Sequence, residues 1–415
     1  MNPSLGAARI QGERLGRRLE ELGRVGALEG GGVCRLALTP EDQAGRDLVV
    51  RWMRELGLEV TIDRIGNLTG LRRGRTQGAP VYVGSHIDTV ATGGLYDGNL
   101  GVLAGLEVVE CLNELGLETE LPLAVAAFTN EEGARFAPDM MGSAVHQGAL
   151  ELEAMLEVIG IDGQRVRDEL AAIGYAGDAP CPGPRASAYL ELHIEQGPVL
   201  EERDVTIGAV EGVQGISWTE LVWGGVSNHA GTTPMRLRRD AGYAAADLAC
   251  FVRDLALEQG GDQVATVGSL RLEPDLVNVI AQRARMTVDL RNTDDGILRR
   301  VERQTEEYAR ALAEREGLHL EQRRLARFAP VAFDPRLVEL VERHATELGH
   351  RVMRLPSGAG HDAQMFAPNC PSAMIFVPSQ GGISHNVREY TTPEDIQAGG
   401  DVLLRIALEL TSSPT

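Results

Sequence analysis

Four short apolar runs recur along the chain between segments of helical periodicity, and polar residues follow each run. The runs lie within residues 80–90, 121–133, 186–197 and 372–379. Strand-like and helical segments that alternate in this way are typical of an α/β fold. Each run ends in, or lies shortly before, a cluster of His, Asp or Glu, and in open α/β sheets functional groups gather at the carboxyl ends of the strands. The sequence therefore predicts an α/β fold with its chemistry at one edge of the main sheet.

Residues 212–327 depart from this alternation. A strand, a helix, two strands and a second helix are predicted there, which are the elements of a small α+β sandwich with one open sheet face. The α/β pattern resumes afterwards with a helix at 334–350. We therefore expect a larger domain built from residues 1–211 and 328–415, with the smaller domain inserted between its two parts. The predicted elements of the insertion lie at 216–225, 238–260, 263–273, 277–291 and 297–317.

The charge of the chain argues against nucleic acid and membrane partners. Lys and Arg total 40 against 60 Asp and Glu, for a formal net charge of −20, and this charge disfavours binding to duplex DNA or to an anionic membrane surface. Every basic residue is arginine. Without lysine there is no Schiff-base nucleophile, no anchor for pyridoxal phosphate and no phosphate-loop lysine, so three large enzyme classes are excluded.

Cysteine usage and the N-terminal segment predict the compartment. The cysteines are odd in number, scattered, and never spaced as C-x-x-C, which favours free thiols in a reducing compartment. Residues 1–23 are charged and amphipathic without an apolar core, and no apolar run in the chain approaches the ~18 residues that span a bilayer. We therefore expect a cytoplasmic protein. The cysteines are Cys34, Cys111, Cys181, Cys250 and Cys370.

Candidate metal ligands lie at the ends of the predicted strands. His86 and Asp88 are two residues apart at a strand end, so they point the same way, and a carboxylate beside an imidazole can fix its tautomer for metal binding. Asp97 lies in a glycine-flanked loop before a helix, where a carboxylate is free to bridge two ions. Glu131 and Glu132 are adjacent and point different ways. Each of these residues is a candidate for binding or for proton transfer.

Two further histidines complete the set. His193 is followed by Glu195 at the end of a third strand, and His385 lies between glycines and a helix start. Singly, each candidate has an ordinary explanation as a core histidine, a solvated turn or a polar loop residue. Adjacent acidic residues at the end of an apolar strand are nevertheless costly to desolvate unless a cation or a hydrogen-bond network compensates them. Three histidines with a bridging and a further carboxylate are typical of two borderline-soft divalent ions.

The motifs, in their order along the chain, resemble those of a known family. That family is the hydantoinase/carbamoylase branch of the dinuclear zinc aminoacylase and carboxypeptidase-like superfamily, which contains N-carbamoyl-L-amino acid hydrolases, beta-ureidopropionases and allantoate amidohydrolases. The resemblance covers nearly the whole chain and implies a zinc-peptidase-like catalytic domain, with a central mixed sheet flanked by helices, and an inserted lid and dimerisation domain. The motifs are "GSHIDTV", "YDGNLGVLAGLEV", "NEEGARF", "ELHIEQGPVLE", "SNHAGTTPM", "DLVNVIAQRARMTVDLR", "SGAGHDAQ" and "SHNVREYT".

The resemblance implies a ligand set for two divalent ions. His86, Asp97 and His193 would hold one ion, and Asp97 would bridge to a second ion held by Glu132 and His385. The sequence does not depart from the family pattern at any of these five positions. In the family the ions are generally zinc, although manganese, cobalt or nickel often serve.

The resemblance also implies catalytic roles. Glu131 would be the general base that takes a proton from the attacking water and later passes it to the leaving nitrogen. Asp88 would orient His86. His229 would reach from the small domain of a partner subunit to the carbonyl oxygen on which negative charge develops, so a homodimer is expected.

A further group of residues would bind substrate. Arg291 resembles the bidentate clamp for the substrate carboxylate, a task that suits guanidinium geometry. His361 and Asp362 lie in the "GHD" stretch of the same motif set and receive no role from chemistry alone. The other contacts implied by the resemblance are Gln214, Asn278, and the backbone at Gly358 and Gly360.

The expected reaction is hydrolysis of the ureido C–N bond of a small N-carbamoyl amino acid, which gives the amino acid, carbon dioxide and ammonia. Allantoate amidohydrolase and beta-ureidopropionase are alternatives with the same chemistry, and a dipeptidase or aminoacylase is a further one. A metal-free binding protein on this fold would be expected to have lost a ligand or the base. The expected partner is a small ureido substrate that carries a carboxylate.

Overall fold

The computed structural model describes residues 8–412, which form two compact units. Within the described residues, the large unit comprises residues 8–211 and 332–412, and the small unit comprises Gly212–Val331. The first seven residues of the predicted amphipathic N-terminal segment lie outside the described range. Of the helices that the structure describes, none combines the length and the hydropathy needed to cross a membrane.

Strands and helices are numbered in chain order within residues 8–412. The strands are β1 (Glu59–Ile62), β2 (Leu68–Arg72), β3 (Val81–His86), β4 (Leu123–Phe128), β5 (Ala188–Ile194), β6 (Ile207–Val213), β7 (Gly215–Gly224), β8 (Val264–Glu273), β9 (Arg283–Asn292), β10 (His319–Phe328), β11 (Val331–Ala332), β12 (Val352–Ser357) and β13 (Ser372–Val377). The helices are α1 (Gly12–Gly23), α2 (Pro40–Glu55), α3 (Asn99–Glu114), α4 (Met141–Gln147), α5 (Leu152–Leu156), α6 (Val166–Ala172), α7 (Val199–Glu202), α8 (Ala241–Gln259), α9 (Asp295–Glu316), α10 (Pro335–Glu347), α11 (Asp362–Phe366) and α12 (Pro393–Ser412).

The large unit is built on a mixed sheet in the order β1-β2-β4-β3-β5-β13-β6-β11, with β12 paired to β6. Its centre is parallel, because β4, β3, β5 and β13 pair in the same direction. Every residue of these four strands is buried. Parallel strands covered by helices read as continuous apolar runs, and these strands are the four runs in the sequence.

The four central strands bring the predicted ligands to one edge of the sheet. β3 ends at His86, β4 ends three residues before Glu131, and His193 is the penultimate residue of β5. β13 leads into the loop that carries His385. Since parallel strands present their carboxyl ends at the same edge, residues far apart in sequence meet there.

Two helices fix the loops at this edge. α3 begins at Asn99, directly after the loop that carries Asp97, and is buried along most of its length. α12 begins at Pro393, and Thr392 Oγ1 accepts a hydrogen bond from the backbone N–H of Asp395 at 3.1 Å. Proline at the first helical position after a capping threonine is a favoured helix start. The loop that carries His385 therefore ends on a firmly capped helix.

The small unit is an antiparallel sheet in the order β10-β7-β9-β8 with α8 and α9 packed against it. Alternate residues of β9 form the buried face, whereas the residues between them are half-buried or exposed. The core includes Trp223, Leu248, Met286, Val288 and Leu298. This is the two-layer α+β arrangement expected for the insertion.

Three details of the small unit differ from the sequence-based expectation. β10 was not predicted, because its sequence HLEQRRLARF has no apolar alternation and all of its residues are half-buried or exposed. β9 begins at Arg283 rather than at residue 277, since Val277 is fully exposed and Ile280 donates instead to the backbone of Asn228. The unit ends at Val331 rather than at the expected residue 327.

Candidate metal centre

A cavity of about 120 Å³ opens at the carboxyl edge of the large unit's sheet, and all five predicted ligands line it. Glu131 and Gly360 line it as well, together with four residues that had no predicted role in the site, namely Asp139, Gln196, Ala359 and His361. The predicted ligands thus come together in one small cavity lined mainly by carboxylates and imidazoles.

The first group of ligands is fully buried. His86 Nε2 lies 3.6 Å from Asp97 Oδ1, and His193 Nε2 lies 3.2 Å from the same oxygen. Gly98, with φ +66°, lets the loop approach, since a Cβ there would lie 2.4 Å from the His86 ring. The ligand atoms of the three residues lie within 4.8 Å of one another.

Backbone carbonyls set the tautomer of both buried histidines. His86 Nδ1 lies 2.9 Å from the carbonyl oxygen of Asp88, and His193 Nδ1 lies 2.8 Å from that of Ile194. A carbonyl can only accept, so each Nδ1 carries a hydrogen. In addition, His193 Nε2 accepts the backbone N–H of Gly98 at 3.2 Å. When the rings are neutral, each Nε2 carries the lone pair that a metal ion needs, and an ion on His193 would take the place of the Gly98 N–H.

The second group lies at the more open side of the cavity. His385 Nε2 is 3.3 Å from Asp97 Oδ2 and 3.3 Å from Glu132 Oε2. The His385 side chain is 49% exposed, against 1% for His193. The two groups share Asp97, and each uses a different oxygen of its carboxylate, as a bridging ligand does.

Glu131 is a third buried carboxylate beside these groups. Its Oε2 lies 3.4 Å from His86 Nε2, and it belongs to none of the compact three-residue ligand groups found among the described residues. Burial raises the pKa of its carboxyl well above the ordinary value. A carboxylate placed next to ligands without completing a ligand group is suited to proton transfer.

Asp88 acts on the site differently from the sequence-based prediction. Its carboxylate Oδ1 is 4.0 Å from His86 Nδ1, beyond hydrogen-bond distance, and the ring is oriented by the Asp88 carbonyl instead. The carboxylate accepts the backbone N–H groups of Glu131 at 3.2 Å and Glu132 at 3.3 Å. The expectation that the Asp88 carboxylate orients His86 was therefore wrong, because the backbone carbonyl of Asp88 does so. The carboxylate instead orders the turn that carries the two glutamates.

Four of the predicted residues lie in the small unit. Gln214 is buried and donates to the carbonyl of Asp262 at 3.2 Å. Asn278 is exposed, and its backbone carbonyl accepts the backbone N–H of Ala230. On β9, the Arg291 guanidinium contacts the Asp289 carboxylate through Nε and Nη2, at 3.1 and 2.8 Å. The fourth is His229, whose side chain is exposed.

Comparison with known protein families decides the classification. The model of peptidase family M20/M25/M40 matches residues 82–409. The chain belongs to this family. The matched range contains all five ligand positions and Glu131.

Curated relatives and solved structures agree with this family and with its hydantoinase/carbamoylase branch. An N-carbamoyl-L-amino acid amidohydrolase from Geobacillus stearothermophilus is 43% identical over 97% of this chain and 99% of its own. One from Rhizobium meliloti is 41% identical over 97% of each. A crystal structure of a hydantoinase/carbamoylase family amidase from Burkholderia multivorans superposes with a TM-score of 0.96 at 45% identity, covering 99% of this chain and 100% of that one. The predicted resemblance and fold class are confirmed.

The residues of the M20 centre fit a pair of divalent ions. Three imidazoles and two carboxylates are nitrogen and oxygen donors of the type that zinc, manganese, cobalt and nickel accept. Asp97, Glu131 and Glu132 crowd into the cavity, and their ion-pair partners there are histidines. Those histidines must be neutral to bind metal, so they cannot balance the carboxylates at the same time. Cations between the two ligand groups would balance them.

Several polar residues of this centre were not predicted from the sequence. Gln196 Nε2 donates to Asp97 Oδ2 at 2.8 Å, and Ser384 Oγ lies 3.0 Å from the same oxygen. Gln196 has a φ of +59°, an uncommon conformation for a residue other than glycine. His361 is fully buried, its Nε2 lies 2.8 Å from Ser357 Oγ, and burial lowers its pKa well below the ordinary value, so it stays neutral. Its backbone neighbour Gly360 also lines the cavity.

Proposed function

We propose that this M20 family protein hydrolyses the ureido C–N bond of N-carbamoyl-L-amino acids and releases the amino acid, carbon dioxide and ammonia. The observation that carries the proposal is the arrangement of two ligand groups joined by Asp97, with Glu131 beside them. The motifs that carry these residues resemble those of the hydantoinase/carbamoylase branch. Two curated relatives, at 43% and 41% identity, are named N-carbamoyl-L-amino acid amidohydrolases.

The proposed centre holds two ions, with zinc as the first choice and manganese, cobalt or nickel as alternatives. When bound, such ions lower the pKa of a water molecule and polarise the substrate carbonyl. His86, Asp97 and His193 would hold one ion, and Asp97, Glu132 and His385 would hold the other. Glu131 accepts the proton of the attacking water on a carboxylate oxygen and delivers it to the leaving nitrogen. Asp88 keeps the Glu131 turn in place.

His229 is proposed as the donor to the carbonyl oxygen. Its Nδ1 accepts the backbone N–H groups of Gly231 at 3.0 Å and Thr232 at 3.2 Å. The neutral ring therefore carries its hydrogen on Nε2, and its side chain is exposed. A fixed donor placed where negative charge develops is commonly worth several kcal/mol. We propose that the protein is a homodimer in which His229 of one subunit serves the site of the other, as the family resemblance implies.

Mixing two inactive variants tests this arrangement. If Glu131→Ala and His229→Ala proteins exchange subunits, each mixed dimer has one site with both residues intact. At equal mixing half of the dimers are mixed, so about a quarter of wild-type activity should return. Activity is measured as ammonia release, and exchange is shown by two distinguishable tags. The control is each variant mixed with itself. Demonstrated exchange without recovered activity would mean that His229 acts within its own chain or not at all.

Arg291 is proposed as the clamp for the substrate carboxylate, with Gln214, Asn278, and the backbone at Gly358 and Gly360 as further contacts. Asp289, on the same strand, already orders the Arg291 guanidinium. The substrate carboxylate would therefore replace Asp289 as its partner or share the guanidinium with it.

Arg291→Lys should raise KM by roughly 10- to 100-fold with a smaller change in kcat, because a bidentate charged pair becomes a point contact. Arg285→Lys, on the same face of β9, is the matched control. Steady-state kinetics on both variants measure the effect. An equal change in both variants, or an unchanged KM in Arg291→Lys, would contradict the clamp.

A substrate panel on metal-reconstituted protein tests the function itself. The panel contains N-carbamoyl-L-amino acids, 3-ureidopropionate, allantoate and a dipeptide, with ammonia and amine release followed. We expect the highest kcat/KM on an N-carbamoyl-L-amino acid. Turnover of the dipeptide alone would make the carbamoylase assignment wrong, and preference for allantoate or 3-ureidopropionate would move the protein to those alternatives. Absence of turnover on the whole panel would favour a binding protein.

We also propose a cytoplasmic location. The support is the cysteine usage: the cysteines are odd in number and never spaced as C-x-x-C, which favours free thiols in a reducing compartment. They are Cys34, Cys111, Cys181, Cys250 and Cys370.

A further inference from the structure

A buried carboxylate outside the ligand set lies beneath the bridging residue of the proposed metal centre. Glu389 is 5% exposed. Its Oε1 accepts the backbone N–H of Tyr96 at 3.0 Å and of Asp97 at 3.1 Å. The loop before α3 has no regular secondary structure to satisfy these two donors. Glu389 therefore takes the place of a backbone partner and fixes the main chain at Asp97.

The second oxygen of Glu389 reaches the Asp97 side chain through one hydroxyl. Ser384 Oγ lies 3.0 Å from Glu389 Oε2 and 3.0 Å from Asp97 Oδ2. A serine hydroxyl has one hydrogen to donate, so Ser384 shares that hydrogen between the two carboxylates and saturates neither. The linked oxygen of Asp97 is Oδ2, which faces His385, and not Oδ1, which faces His86 and His193.

The two loops are shaped to permit this link. A Cβ at Gly94 would lie 2.1 Å from Glu389 Oε1, so only glycine lets the carboxylate pack under the loop. Thr92 Oγ1 donates to the carbonyl of His385 at 3.3 Å, which joins the same two loops a second time. The loop that carries Asp97 and the loop that carries His385 are thus connected through side chains as well as through any ion they share.

We propose that Glu389 is a positioning residue that sets the spacing between Asp97 Oδ2 and His385, and thereby the affinity for the second ion. The first group needs less support, because His86 and His193 lie on strands β3 and β5 in the centre of the sheet. In the second group Asp97 and His385 both lie on loops, and His385 is half exposed. This inference rests on the proposed metal centre but not on the proposed reaction, because its test measures metal binding.

Glu389→Ala should affect the two ion sites differently. Apo protein titrated with Zn²⁺ alone, by calorimetry and by metal analysis after dialysis, should retain one ion near wild-type affinity and lose affinity for the second by about 10- to 100-fold, the usual effect of removing a group that orients a ligand. Glu389→Gln should keep the second ion within a few-fold of wild type. Its amide oxygen can accept both N–H groups, and its NH₂ can donate to Ser384, which leaves the serine hydrogen for Asp97.

Two further variants complete the test. Ser384→Ala removes the hydroxyl that joins Glu389 Oε2 to Asp97 Oδ2 but leaves both backbone hydrogen bonds of Glu389 in place. It should weaken the second ion alone, so it carries the test if Glu389→Ala fails to fold. Asp401→Ala is the matched control, because Asp401 is also a buried carboxylate that holds a backbone N–H, that of Ile10, away from the cavity; it should lower the melting temperature with both ions retained. Three results would each overturn the proposal. Glu389→Ala or Ser384→Ala could bind both ions as wild type does, either variant could lose both ions equally, or Glu389→Gln could bind the second ion as weakly as Glu389→Ala.

Discussion

Removing the divalent ions should abolish turnover, and adding zinc, manganese or cobalt should restore it. All five ligands lie around one cavity, and the proposed water activation needs a positive charge there. The measurement is ammonia release from an N-carbamoyl-L-amino acid before chelation, after chelation with metal content determined, and after each metal is returned. The control is chelator added together with an excess of metal, which should leave the rate unchanged.

The charged groups of the cavity predict how metal affinity should change with pH. Hydrogen bonding to Asp97 and the negative charge of Glu132 raise the pKa of His385, and burial raises that of Glu132. Both groups must be deprotonated to bind an ion, so loading should release protons and apparent affinity should fall as the pH falls. Reconstitution at several pH values measures this. Full activity in protein shown to be metal-free would refute the metal hypothesis.

The meeting of the candidate ligands at one edge of the sheet was predictable from strand pattern. His86 and His193 end apolar runs, and parallel strands present such ends at one edge of the sheet whatever their separation in sequence. Atom-level contacts were not predictable in this way. Whether the carbonyl or the carboxylate of Asp88 meets the His86 ring depends on the loop conformation after β3, and the residue spacing is the same in both cases.

There are physical reasons why some elements and residues could not be predicted from the sequence. β10 lacks a buried face, so no hydrophobic alternation marks it, and its pairing with β7 holds it in place. Glu389 and Ser384 act on Asp97, almost three hundred residues away in the chain, through side chains of a loop without regular structure. Local pattern contains no signal for such contacts. They exist only once two strands have brought the loops together.

Glu131→Gln should lower kcat by about 10²-fold or more with both ions still bound. The amide has nearly the shape of the carboxylate but cannot accept and return a proton. The Glu131 side chain is buried, with Oε2 3.4 Å from His86 Nε2, and it lies outside the group formed by Asp97, Glu132 and His385. The measurement is kcat at saturating metal, with bound metal determined on the same sample.

Glu132→Gln is the matched comparison, since it makes the same chemical change one residue away. Its Oε2 lies 3.3 Å from His385 Nε2, so the amide should weaken the second ion, and added metal should recover part of the rate. Added metal should not rescue Glu131→Gln, because the missing group is a proton acceptor and not a ligand. If Glu131→Gln loses an ion while Glu132→Gln keeps both and loses turnover, the two glutamates have the opposite roles, and the water is activated from the side of the cavity where His385 lies.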